Sequence, residues 1–295
     1  MKHSAKIVAI LLGMFFITQL IGIWVIYSYQ NNNFNLPYGM EPPKGIAPET
    51  SLVSIVIAIA FAVLVMLIFM RFNIDLLLKL WFLFVIIIAL GITINSTMLN
   101  VQNSSIIALT IAVPLAILKV FKRGILVHNI TELMIYPGIA AIFVPILNLW
   151  TISLLFIIIS LYDIYAVWHS GFMQKMAKYQ IRKLKMFSGF FIPYLGAKER
   201  AQLARIKRSD AKEKKIKVSV AILGGGDVVF PIIFAGVILR YFGFIPSLIM
   251  ALGATIALFV LFLFSKKGKF YPAMPFISAG CFLALGLIYL TQVLF

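Results

Sequence analysis

The chain has 295 residues, 62% of them hydrophobic and 12% charged, with a formal net charge of +17. Soluble domains run at about 45 to 50% apolar and about 25% charged, so this composition excludes an ordinary soluble globular protein. The single cysteine, Cys281, excludes an intrachain disulfide framework and, within an apolar run, reads as core packing.

The fold class that follows is an all-α polytopic membrane protein, counted in spans rather than domains. Apolar runs matched to the bilayer thickness predict nine transmembrane helices, over residues 7–29, 51–70, 76–94, 104–120, 131–148, 150–168, 217–239, 244–264 and 272–294. The first follows Lys2 and Lys6 as a secretory signal would, but it is long and residues 27–35 lack a clear small-residue cleavage site, so it reads as a retained span. Pro137 and Pro145 should bend the fifth, and a tight turn near Asn148 leads into the sixth. The organisation is one membrane domain, with spans one to six over 1–168, a basic loop over 169–216 and spans seven to nine over 217–295.

Charge orients this layout. With the N-terminus cytoplasmic, only Lys44 and Arg240 of the 26 lysines and arginines fall outside, and an odd span count puts the C-terminus extracytoplasmic. The richest basic stretch, Lys198 to Lys217, adjoins a span, so its expected partner is anionic lipid. It has no interleaved aromatics for base stacking, and no nucleic-acid partner is expected. The apolar island Phe187 to Ala197 in the same loop is too short to span and reads as an interfacial anchor or a plug over a site. Outside, residues 30–50 form an irregular loop, and Asn95 and Asn103 each open an Asn-x-Ser/Thr tripeptide.

Against this background two of the nine acidic residues stand out: Asp163 in IIISLYDIYAVW and Asp227 in VAILGGGDVVFPIIF. An ionisable side chain at bilayer depth costs about 2.5 to 3.5 kcal/mol on insertion scales, which makes each a candidate functional residue. Asp163 lies about 5 residues from the cytoplasmic end of the sixth span, roughly 8 Å, and Asp227 about 10 residues into the seventh, roughly 15 Å. Antiparallel spans can therefore bring the two together in the cytoplasmic half. Two carboxylates in one site share a proton, one drawing a proton from water while the other donates to a carbonyl oxygen, and no metal or cofactor is needed.

The surroundings suit such chemistry. Gly224, Gly225 and Gly226 leave the approach to Asp227 bare, Pro231 removes the amide that would bond the Asp227 carbonyl, and Tyr162 offers a hydroxyl beside Asp163. His3, His128 and His169 are scattered and give no zinc motif. His128 and Glu132 are spaced to touch on one helix face near the cytoplasmic end of the fifth span, where Glu132 reads as interfacial.

Tyr162-Asp163, Gly224-x-Gly226-Asp227 and Pro272-Ala273, in that order on the sixth, seventh and ninth spans, resemble the three signatures of the presenilin and signal-peptide-peptidase family of intramembrane aspartyl proteases. The resemblance covers nearly the whole chain. It implies that Asp163 and Asp227 are the catalytic pair and that Pro272, Ala273 and Met274 help hold an extended substrate. Met274 stands where the family usually has Leu, a swap of similar volume. The topology is similar to the presenilin branch, and Val228 to Pro231 are similar to the archaeal homologues. The resemblance thus implies a self-sufficient protease of an archaeal cell membrane, acting on membrane-spanning protein substrates without obligate partners and with a homo-oligomer allowed. A secondary transporter using the carboxylates for ion coupling is the alternative. The chain lacks the pair of similarly broken segments in two halves that such a transporter shows.

Overall fold

The structure is a computed structural model that describes residues 5–40, 48–72, 74–122, 124–170, 179, 187–194, 219–265 and 271–294. In lipid every backbone N–H and C=O must be satisfied within the protein, which a helix does locally. Among the described residues nine helices are long and apolar enough to cross a membrane. They are α1 (Ala5–Gln30), α2 (Pro48–Phe72), α3 (Asp75–Asn95), α4 (Ser104–Phe121) and α5 (Ile125–Phe143), then α6 (Leu149–Tyr165), α7 (Gly225–Phe242), α8 (Phe244–Phe264) and α9 (Met274–Leu294). A π-helical turn, Ala166–Ser170, prolongs α6.

Every expected span is present, and two begin elsewhere. α5 starts at Ile125 rather than residue 131, because its polar first turns find partners inside the bundle. α7 starts at Gly225 rather than residue 217, because residues Ser219–Gly224 form a strand, β2. This strand pairs antiparallel with β1 (Gly189–Tyr194), in a register running from Gly189 opposite Gly224 to Tyr194 opposite Ser219. Among the described residues the all-α reading is therefore completed by one two-stranded sheet. Over residues 189–194 the apolar island is strand β1, packed on the bundle: Phe190 is fully buried against Tyr136 of α5, ring centroids 5.9 Å apart. Residues 195–197 and the basic stretch Lys198 to Lys217 lie outside the described residues.

α1 packs on α5, α7 and α8. Its Gly22 admits the side chain of Ile232 so closely that a Cβ would collide with it. α8 and α9 cross where Gly253 and Gly280 bring their backbones together, the small-residue contact that substitutes for hydrophobic driving force between helices in lipid. A smaller core of Leu90, Ala108, Ala112, Ala116 and Ile135 joins α3, α4 and α5. α2 rests chiefly on α3 and α6 and turns Ile57 and Phe61 outward, 62% and 64% exposed, as lipid-facing residues should be.

Polar ties close the end away from the hairpin. The Tyr29 hydroxyl shares its one proton between the Ile92 carbonyl at 2.7 Å and Asn95 Oδ1 at 3.0 Å, and Asn95 Nδ2 donates to Ser104 Oγ at 2.9 Å. Asn95 is thus buried and engaged, unlike a glycan acceptor. Arg240 Nη1 donates to the carbonyls of Val144 and Leu147, binding α7 to the turn after α5. Asn148 begins α6 with a reciprocal capping box to Thr151.

Candidate active site

Asp163 lies in the last turn of α6 and is 5% exposed. Its Oδ2 accepts a hydrogen bond of 3.0 Å from the Met274 N–H, and the Ala273 amide is alongside. Met274 is the first residue of α9, so its N–H is one of the donors that a helix start leaves without an intrahelical partner. A carboxylate at a helix N-terminus also meets the positive end of the helix dipole. Asp163 therefore caps a helix other than its own, and Pro272-Ala273-Met274 meets the site through backbone. Met274 offers Asp163 its amide, a contact that Leu would supply equally, and its side chain is buried.

One turn further from the hairpin end, Ser160 Oγ and Ser278 Oγ meet at 2.7 Å. This second tie fixes α6 against α9 beside the Asp163 contact.

Asp227 is the third residue of α7, at the position from which a carboxylate can reach back over the residue preceding the helix. It does so: a Cβ on Gly224 would lie 3.1 Å from Asp227 Oδ2. The three glycines form the passage from β2 into α7. Gly225 is the tightest, since a Cβ there would sit 2.8 Å from both Ser188 Oγ and the Tyr136 hydroxyl. Gly226 is exposed. Replacing Gly225 with Val should displace the strand or Tyr136 and lower substrate turnover at least about tenfold, an overpacking effect read from kcat/KM with the unfolding midpoint followed alongside.

Asp163 and Asp227 lie close enough for their charges to interact, so the structure brings together both aspartates, the glycine passage and the start of α9. Tyr162 is set apart from this group: its side chain is 42% exposed while its neighbour Asp163 is buried, as successive helix positions diverge by about 100 degrees. Pro231 lies within α7 and supplies no amide to the Asp227 carbonyl.

Three further residues at the site escaped the sequence reading. Gln19 of α1, fully buried, donates through Nε2 to the Val228 carbonyl at 3.1 Å and so ties α1 to the residue after Asp227. A lone amide within an apolar span was the available signal. Ser160 and Tyr136 are the other two. Glu132 is a correction: it is not interfacial but 1% exposed, and its Oε1 accepts a 2.6 Å salt bridge from Lys119 of α4. His128 lies 3.8 Å from the same oxygen, as the spacing on one helix face suggested. Among the described residues no three His, Cys, Asp or Glu side chains are grouped as a metal site requires.

The chain matches the family model "Signal-peptide peptidase, presenilin aspartyl protease" over residues 12–294. No curated protein matches it. Two solved structures of a presenilin family intramembrane aspartate protease, in C222 and P2 space groups, share its fold. The first is 18% identical with a TM-score of 0.62, covering 96% of this chain and 99% of that one. The second is 19% identical with a TM-score of 0.59, covering 95% and 96%. A motif set on three helices, a carboxylate pair at their meeting point and a family match over nearly the whole length converge: the chain belongs to the signal-peptide peptidase and presenilin family of aspartyl proteases, multi-pass membrane hydrolases.

Proposed function

We propose that this protein hydrolyses peptide bonds within the transmembrane segments of other membrane proteins, with Asp163 and Asp227 as its catalytic pair. The carrying observation is the convergence of two membrane-depth carboxylates at two helix starts, one taking the Met274 amide and the other lying over Gly224. One carboxylate takes a proton from water as its oxygen attacks the scissile carbonyl carbon, and the other protonates the carbonyl oxygen. Collapse of the tetrahedral intermediate breaks the C–N bond, with the proton returned to the leaving amine.

A substrate helix must first become extended, since an intact helix holds its carbonyls in internal hydrogen bonds. β2 offers such a segment a partner. Residues facing the partner strand alternate with residues facing away in an antiparallel pair. The Gly225 N–H bonds to the Ser188 carbonyl, which places Leu223, Ala221 and Ser219 on the β1 side. The N–H and C=O groups of Val220 and Ile222 then point the other way, along the open edge of β2, while Gly224 at its end turns its N–H to Asp227. A strand added there runs directly toward Asp227.

In this reading the basic loop faces the cytoplasm and contacts anionic lipid, and the enzyme acts in a cell membrane of archaeal type without an obligate partner. The test is purified protein in liposomes with a single-span substrate, with and without a transition-state-mimic inhibitor of aspartyl proteases. Cleavage blocked by the inhibitor supports the proposal. Carboxylate-dependent proton or ion flux in the same liposomes without cleavage supports transport instead.

A further inference from the structure

Besides the Phe190–Tyr136 contact, α5 binds the hairpin through its backbone, and only on one edge. Asn129 Oδ1 accepts from the Phe191 N–H at 3.1 Å while Asn129 Nδ2 donates to the Phe191 carbonyl at 3.0 Å. One carboxamide thus satisfies both groups of one residue, the pattern a neighbouring strand would supply, and the pair of bonds fixes which end of the amide is oxygen. Two residues earlier, the Gly189 carbonyl lies 2.8 Å from His128 Nε2. Lys119 Nζ lies 3.4 Å from His128 Nδ1 and, as an ammonium, can only donate to it, which assigns the proton to Nε2 and makes Gly189 the acceptor. Two residues later, Pro193 has no N–H to offer. Residues 189, 191 and 193 are the positions of β1 that face away from β2, so its outer edge is occupied, occupied and blunted in turn.

We propose that Asn129, seconded by His128, is a positioning clamp. It closes the β1 edge to any added strand, leaves the β2 edge as the one a substrate can join, and sets the height of the hairpin relative to Asp227. The inference rests on the proteolytic reading above and adds the residue that selects where along the substrate the cut falls. Asn129 touches no reacting atom, and its effect passes through β1 and β2 to the Gly224–Gly226 passage. Slippage of the hairpin along α5 would present a different substrate bond to the carboxylates, since an extended chain advances about 3.3 Å per residue.

The experiment compares wild type with Asn129→Leu, close in shape but without hydrogen bonds, and Asn129→Ala, which a helix tolerates best. Amide exchange at Phe191 is measured for each protein in detergent, and intact-mass product ladders with kcat and KM are measured in liposomes on a single-span substrate. The expected result is at least tenfold faster exchange at Phe191, a ladder spread to neighbouring bonds, and a KM raised about tenfold with a smaller change in kcat. An Ala variant that keeps wild-type exchange at Phe191, or that keeps the wild-type ladder and kcat/KM within about twofold, overturns the clamp. Exchange reports on the clamp without catalysis, whereas absence of dyad-dependent cleavage by wild type sinks the protease reading itself.

Discussion

Asp163→Asn and Asp227→Asn should each reduce cleavage of a transmembrane substrate by at least about a thousandfold, with the fold preserved. General acid and base contributions are worth about 10²–10⁴-fold each, and groups acting as one unit lose nearly everything when either is removed. Asn is close to isosteric and can still accept the Met274 N–H, so the tie from α6 to α9 survives in the Asp163 variant. At Asp227 the amide oxygen can still lie over Gly224. The variants should therefore keep the wild-type unfolding midpoint in detergent, and the double variant should be no worse than either single one. A single variant with more than a tenth of wild-type turnover would remove its aspartate from the chemistry.

The second large effect concerns stability. Lys119 and Glu132 are 6% and 1% exposed and bridge α4 to α5 at 2.6 Å, with His128 beside them. Lys119→Met should destabilise by about 3 to 5 kcal/mol, because it strands a buried carboxylate whose second oxygen already has no hydrogen-bond partner among the described residues. Lys119→Met combined with Glu132→Leu should recover most of that loss, since well-packed apolar replacements of a buried pair are often neutral. Unfolding of the single and double variants in detergent decides the matter. A single variant within about 1 kcal/mol of wild type would mean that the pair is solvated.

Hydrophobic runs long enough to cross a bilayer can hardly become anything but spans, so the helical layout was open to a reading of the sequence, as were the two aspartates isolated within it. β2 was not. The segment Ser219–Gly224 continues the apolar run of α7, and a short apolar run has no periodicity to separate strand from helix. Only pairing with β1, far away in sequence, decides it, and with that the glycines become a passage between strand and helix. Glu132 and Asn129 were misplaced or overlooked for a related reason. Hydropathy trims polar residues from the end of a span, while Lys119 and the β1 backbone make their burial tolerable. Gln19 and the Ser160–Ser278 pair follow the same rule, each a polar residue whose role depends on a partner on another helix.

The most direct test of the account is cleavage of a single-span substrate by the purified protein in liposomes made up in H₂¹⁸O, with products read by intact mass. The account predicts a cut at a bond inside the apolar segment, one ¹⁸O atom in the new carboxyl terminus from the attacking water, and no product from Asp163→Asn or Asp227→Asn. A cut confined to the soluble flanks, or one that persists in either variant, would contradict it.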